Sequence, residues 1–401
     1  MKILFIANYP PPYGGIPGDV KIICDDLQKK YEDTQIVVSY SLFQNPLKKV
    51  DKQSPDRIIY RLDFFDSLFG LIRHPIRFIK IAKYFFGENI FKLIFHAGIN
   101  NKIYNIISKS EIDIIDSYHI FYPSMHGYLI SKDFKKKYIV NIYGEIYRNP
   151  EFFSKFSKKI KLVLENSYKV ISCSNHCMES LKLIDLSIKN KQVILPSIDV
   201  ELFKKLDKEK NKFKDLPFVQ DRKKIIGYLG RFEKEMGLLI FLDLINKPEL
   251  KNNKFLIIGA SGALSGYTKS IEGKNKDRVI VYSDVREKKL PHLLNLCDVL
   301  IVPSINERAC YGKAIAEGQS CGVPVIASNL GGHKEVIENN HSGMFFEPNN
   351  SDDLKNKINY LIDDCELRNE IINNGLKKSP QYSNHIKLKY NFEVYKGALK
   401  R

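Results

Sequence analysis

Residues 303 to 335 read PSINERACYGKAIAEGQSCGVPVIASNLGGHKE, and the residue types in this stretch suit an anion that also carries hydroxyl groups. The apolar run before Pro303 predicts a strand. Gly312, Lys313, Ala314, Ile315, Ala316 and Glu317 predict a short helix, which Gly322 and Pro324 close before a second strand at Val325 to Ala327. In such a βαβ unit the first backbone N–H groups of the helix point to the carboxyl edge of the sheet, where a diphosphate is well held. The small residues Gly312, Ala314 and Ala316 let a ligand approach that backbone. Glu317 lies more than one turn further on, but helical side chains lean back toward the N-terminus, so its carboxylate reaches hydroxyls beside the anion. A carboxylate accepting from two vicinal hydroxyls is a ribose clamp.

The stretch resembles glycosyltransferase family 4, the retaining GT-B enzymes of surface-polysaccharide assembly. Pro303, Ser304, Tyr311, Gly312, Glu317, Gly322, Pro324, Val325, Ile326, Gly331, Gly332 and Glu335 fit the family pattern, and the resemblance continues in order over most of the chain. It implies a metal-independent transferase without a cofactor that moves a hexose-type sugar from a UDP-sugar or GDP-sugar. The diphosphate ligands implied are Gly14, Gly15, Arg231, Lys234, Gly312, Lys313 and Ala314, with Glu317 on the ribose and Val285 and Asp284 beside the nucleobase. Glu307, Cys310 and Tyr311 fall to the donor sugar. No side chain is assigned as the catalytic base; the candidates for a catalytic role are Glu307, His119 and Tyr143. Two positions depart from the pattern. Ala309 stands where the family has its first glutamate, with Glu307 two residues earlier, and Met236 replaces the lysine that follows the Gly-Arg pair. Either the loop delivers Glu307 to the sugar or that contact is missing, and a catalytically degenerate binder of sugar nucleotides or of a partner transferase is the alternative reading.

Positioning such residues requires two parallel sheets. Strands are expected at Lys2 to Ala7, Gln35 to Tyr40, Arg57 to Leu62, Asp113 to Ser117, Tyr138 to Ile142, Lys169 to Cys173 and Gln192 to Leu195. A second set follows at Ile225 to Leu229, Lys254 to Ile258, Val279 to Tyr282, Val299 to Val302, Val325 to Ala327 and Met344 to Phe346. The expected fold is α/β, with two Rossmann-like doubly wound domains facing across a cleft: 1–200 for the acceptor and 201–382 for the nucleotide sugar. A basic amphipathic helix over 383–401 is expected to cross back to the first domain. Asp199, in the segment between the halves, is read as a structural residue. The glycine loop Gly259 to Gly266 also resembles a short-chain dehydrogenase fingerprint, but it does not sit on the first βα turn and no Tyr-x-x-x-Lys pair accompanies it.

With 401 residues, 44% of them hydrophobic and 27% charged, the chain is long enough for two full cores. Its seven cysteines form no CxxC pair and no zinc-like set, so free thiols in a reducing compartment are expected. The net charge of +17 is spread over both halves, and no nucleic-acid-binding motif is present. From Ser67 to Ser110 seven Lys/Arg face one acid, Glu88, among many aromatics. That insertion, about 63–110, reads equally as an amphipathic surface for an anionic membrane or as core-packed helices with a basic rim. No apolar run is long enough to span a membrane. The expected partners are a nucleotide-sugar donor, a lipid-linked or oligosaccharide acceptor and an anionic membrane surface, without nucleic acid. The expected location is cytoplasmic, or peripheral on the inner face of the cell membrane.

Overall fold

A computed structural model describes residues 1–10, 15–31, 33–42, 49–87, 89–221 and 223–400. Two compact units divide the chain, Met1–Leu195 with Lys387–Arg401 and Pro196–Ile386. The division falls before 200 because Pro196 to Asp199 is already tied into the second unit. There the Ile198 N–H donates to Tyr382 O and the Asp199 carboxylate caps the turn by accepting from the Glu201 and Leu202 N–H groups.

The first unit is built on β1 (Lys2–Ile6), β2 (Thr34–Tyr40), β3 (Val50–Ser54), β4 (Arg57–Leu62), β5 (Ile114–Tyr118), β6 (Lys137–Ile142), β7 (Lys169–Ser172) and β8 (Lys191–Val193). Their order in the sheet is β3-β4-β2-β1-β5-β6-β7-β8, parallel except for β3. The strand β3 was not expected. It is a polar edge ribbon, VDKQS, exposed on most positions, and so carries no apolar signal. The central β1 is apolar on both faces, with Ile3, Leu4, Phe5 and Ile6 all fully buried, as a parallel strand covered by helices requires.

One of those covering elements is the last helix, Asn384–Leu399, which from Lys387 onward belongs to the first unit. Its Leu388, Val394, Tyr395 and Ala398 pack with β1 side chains. Tyr395, 0% exposed, donates its hydroxyl to Asp116 Oδ2 at 2.5 Å, and Asn141 Nδ2 donates to Asp116 Oδ1 at 2.5 Å. Burial nevertheless raises the Asp116 pKa to about 6.

The 63–110 segment forms three helices, Phe64–Arg73, Pro75–Phe85 and Ile90–Ile107. The last of these is a core helix, with Phe95, Ala97, Ile99, Ile103 and Ile107 buried, because it lies between the first two helices and Tyr122–Phe134. The core-packed reading therefore holds for this helix from Leu93 onward, while its first turn leaves Ile90 and Phe91 exposed. The first helix crosses it in backbone contact: a Cβ on Gly70 would lie 2.2 Å from Gly98 O, and one on Gly98 would lie 2.2 Å from Ser67 O.

The second unit contains β9 (Ile225–Leu229), β10 (Lys254–Gly259), β11 (Val279–Ser283), β12 (Val299–Val302), β13 (Val325–Ser328) and β14 (Met344–Phe346). All neighbours are parallel, in the order β11-β10-β9-β12-β13-β14. Counted from its own first strand this is the 3-2-1-4-5-6 order of a dinucleotide-binding sheet, and the direction of winding reverses between β9 and β12. Ligands in such sheets bind outside the carboxyl ends at that reversal.

Candidate active site

Two loops leave the carboxyl ends of β9 and β12 side by side. The Ile305 N–H donates to Glu235 O at 3.2 Å. Gly237 adopts φ 71°, and a Cβ there would lie 1.6 Å from Pro303 O, so only glycine allows the loops this approach. The first loop carries Arg231, half-exposed, with Nη2 3.7 Å from Glu235 Oε1, and Lys234, exposed at the start of a 3-10 turn. Met236 closes that turn and packs against the core.

The second loop ends at the Lys313–Ser320 helix. Gly312 is its N-cap at φ 97° and offers no side chain to its N–H groups. A Cβ at 312 would meet Ile315 Cδ1 at 2.7 Å and His333 Cδ2 at 3.1 Å, so glycine is required here by conformation and space together. The Gly331-Gly332 pair clasps the loop from β13: the Gly332 N–H donates to Ala309 O at 2.7 Å, and the buried His333 bonds Ser328 O through Nδ1 at 3.0 Å. His333 was not singled out from the sequence, although the Gly-Gly-His order was available as a signal.

Glu317 lies one turn into this helix and is 9% exposed. Among the described residues no side chain or N–H group donates a hydrogen bond to its carboxylate. Burial lifts its pKa to about 7, an effect that Lys313 partly offsets. Neither oxygen is fully enclosed, so the little exposure Glu317 keeps reaches its carboxylate, where the hydroxyls of a ligand can donate.

The other predicted residues are distributed as follows. Glu307 sits on an exposed turn that begins at Asn306, where Asn306 Oδ1 accepts from the Arg308 N–H at 3.1 Å. Ala309 is buried, and Tyr311 is a core ring of the second unit. Cys310 is half-buried with Sγ 3.2 Å from Arg308 O. Asp284, at φ 52° after β11, accepts from the Ser261 N–H at 2.9 Å and from its hydroxyl, which holds the Asp284 pKa below the usual carboxylate range. That carboxylate is thus occupied in joining the loops after β10 and β11, and Val285 follows it half-buried.

In the first unit Gly15 opens the Gly15–Tyr31 helix after β1, whereas Gly14 lies outside the described residues. His119 and Tyr143 follow the adjacent strands β5 and β6. His119 has φ 120°, a strained conformation for a residue with a side chain, and its Nδ1 accepts from the Phe121 N–H at 3.2 Å. The Glu145 carboxylate joins the two strand ends: it accepts from the Tyr143 N–H at 2.8 Å and the Ile120 N–H at 3.3 Å. Glu145 was also missed, although an acid after Gly144 at a strand end is a recognisable cap signal. Among the described residues no group of three or more His, Cys, Asp or Glu could hold a metal ion, and Cys173 and Cys177 form no disulfide, with their sulfurs 3.4 Å apart.

Residues 207–378 match the family model of the glycosyl transferases group 1. The whole chain superposes on the crystal structure of Anabaena HepE in complex with UDP with a TM-score of 0.75 and 19% identity, covering 99% of this chain and 100% of that one. Residues 207–378 thus carry the group 1 domain, and the chain is a glycosyltransferase with the GT-B fold. An uncharacterized 41.2 kDa protein in the cps region of Klebsiella pneumoniae is 28% identical to this transferase over 395 residues, 97% of this chain and 99% of that one. The N,N'-diacetylbacillosaminyl-diphospho-undecaprenol alpha-1,3-N-acetylgalactosaminyltransferase of Campylobacter jejuni is 25% identical to it over 246 residues, 60% of this chain and 63% of that one. Among the described residues of the transferase no helix is long and apolar enough to cross a membrane.

Proposed function

We propose that this transferase moves a hexose-type sugar from a UDP-sugar or GDP-sugar, with retention of configuration and without a metal ion. The acceptor is a lipid-linked saccharide in surface-polysaccharide assembly, met in the cytoplasm at the inner face of the cell membrane. The observation that carries the donor site is Glu317: an undonated, nine-tenths buried carboxylate beside an uncapped helix start at the sheet's switch point. The ribose hydroxyls supply the missing donors. The diphosphate lies at the helix start from Gly312 to Ala314, where the N–H groups and helix dipole favour negative charge, and Arg231 adds a cation.

As the bond from the anomeric carbon to the diphosphate oxygen breaks, negative charge collects on the diphosphate, and these fixed donors stabilise it. Each well-aimed donor of this kind is worth on the order of 3 kcal/mol in the transition state. The acceptor oxygen bonds the anomeric carbon on the same face, and its proton passes to the departing diphosphate oxygen. With Ala309 in place of the family's acid and Met236 in place of its lysine, the helix start and Arg231 carry most of this stabilisation. UDP in HepE and the diphospho-undecaprenol acceptor named for the Campylobacter enzyme support the choice of donor and acceptor class. The cps-region relative supports the surface-polysaccharide setting.

A thermal-shift panel of UDP, GDP, ADP, CMP and their sugars tests the donor site. A nucleotide at about a hundred times its Kd adds roughly 2.7 kcal/mol of stability. The reading predicts a shift with UDP or GDP compounds that Glu317→Ala abolishes; no shift with any of them contradicts it.

A further inference from the structure

The Phe64–Arg73 helix has its amphipathic pattern turned outward. Its inner face is Asp66, Ser67 and Gly70, small or polar residues that permit the close crossing at Gly98. Its outer face is Phe65, Leu68, Phe69 and Ile72, spaced as one helical stripe and all exposed, Ile72 at 72%. The next helix, Pro75–Phe85, exposes Ile76 and Ile79 at 71% and 73%. A soluble domain rarely leaves so dense a run of large apolar side chains in water.

The charges beside this surface are mostly cationic, and the exposed acid next to it, Asp133, is paired with Arg77. Arg73, Lys80 and Lys83 are exposed among residues 64–87, where the one acid, Asp66, is buried and paired with Lys49 and Lys102. A second copy meeting this face across a two-fold axis would oppose those three cations to their own copies. An anionic, apolar-backed surface complements both features.

We propose that the stripe Phe65, Leu68, Phe69 and Ile72, with Ile76 and Ile79, enters the headgroup region of an anionic lipid bilayer, where Arg73, Lys80 and Lys83 meet the lipid phosphates. This deepens the reading of a membrane-borne acceptor by assigning the face that meets the membrane. Apolar side chains at that depth and cations at the headgroup level are the two contributions that hold an interfacial helix.

Flotation of the full chain with phosphatidylglycerol–phosphatidylcholine vesicles, against phosphatidylcholine alone, tests it. Binding is expected to the anionic vesicles and to weaken at high salt. Phe69→Ser with Ile72→Ser should abolish it, and each of Arg73→Gln, Lys80→Gln and Lys83→Gln should weaken it about fivefold. These positions are exposed, and an unchanged thermal shift with UDP or GDP in the same preparations shows that fold and donor site persist. Absence of binding in the parent, or equal binding by the double serine variant, overturns the proposal. So does a parent dimer that the double variant converts to a monomer, because the face then belongs to a second copy. A normal UDP or GDP shift with no flotation refutes this inference alone, whereas the absence of a shift with either nucleotide, with normal flotation, refutes the donor reading alone.

Discussion

Glu317→Gln should make the free protein more stable while removing its ligand. The folded pKa of Glu317 is raised from the ordinary 4.5 to about 7 by burial. At pH 8 the folded state therefore holds an ionised carboxylate that the unfolded chain ionises far more easily. The difference of about 2.5 units corresponds to about 3 kcal/mol as an upper bound. A raised carboxylate pKa means that folded stability increases as pH falls through about 7 and that the penalty is gone below the unfolded value near 4.5. Glutamine has nearly the same shape and no charge, but it buries an amide, so the net gain at pH 8 should be about 1–3 kcal/mol. For a unit of this size that is a rise in Tm of roughly 3–10 °C in the second unit's transition. Thermal unfolding of both proteins at pH 8 and pH 5 is the assay. The variant should be more stable at pH 8, with most of the advantage lost at pH 5. A lower Tm for Glu317→Gln at pH 8 would show that the carboxylate serves the fold, and the argument from its missing donors would collapse.

Three further outcomes follow from the same geometry. Arg231→Ala, at a half-exposed position, should leave Tm within about 1 °C but lower kcat with the best donor by about 10–1000-fold, measured by steady-state transfer or donor hydrolysis; an unchanged kcat removes Arg231 from the leaving-group site. Tyr395→Phe should destabilise the first unit by about 1–3 kcal/mol above pH 6, because ionised Asp116 loses a donor, and by less at pH 5, where its carboxyl is protonated in the fold. Equal losses at the two pH values in denaturant titrations would contradict that assignment. Activity should be unchanged after exhaustive treatment with EDTA, and loss that a divalent ion restores would place a metal in the mechanism.

How much of this was legible in the sequence depended on whether one face or two were buried. Strands such as Ile225–Leu229 and Val299–Val302 are dense apolar runs between turn residues, and their limits were readable directly. The edge strand Val50–Ser54 was not, since its partner supplies the hydrogen bonds and its own side chains carry no pattern. The 63–110 segment stayed ambiguous for a physical reason. Period alone shows that a helix has an apolar stripe, not which way the stripe faces, and the Gly70–Gly98 crossing turns that of Phe64–Arg73 outward while Ile90–Ile107 is largely buried from Leu93 onward. In the candidate site, glycine spacing was enough to foresee the Gly312 helix start and the position of Glu317. The burial of Glu317, the clasp of Gly332 on Ala309 and the engagement of Asp284 by Ser261 all depend on other strands' loops, which no local spacing reveals. Tyr311, foreseen as a sugar contact, has its ring buried in the second unit's core.

The central claim is that the Gly312 helix start, Arg231 and Glu317 hold the diphosphate and ribose of a nucleotide sugar. Calorimetric titration of the parent and Glu317→Ala with the donor chosen by the thermal-shift panel tests it most directly. Two charge-assisted hydrogen bonds from ribose hydroxyls predict a loss of about 100-fold in affinity for the variant. An equal Kd for the two proteins would contradict the account.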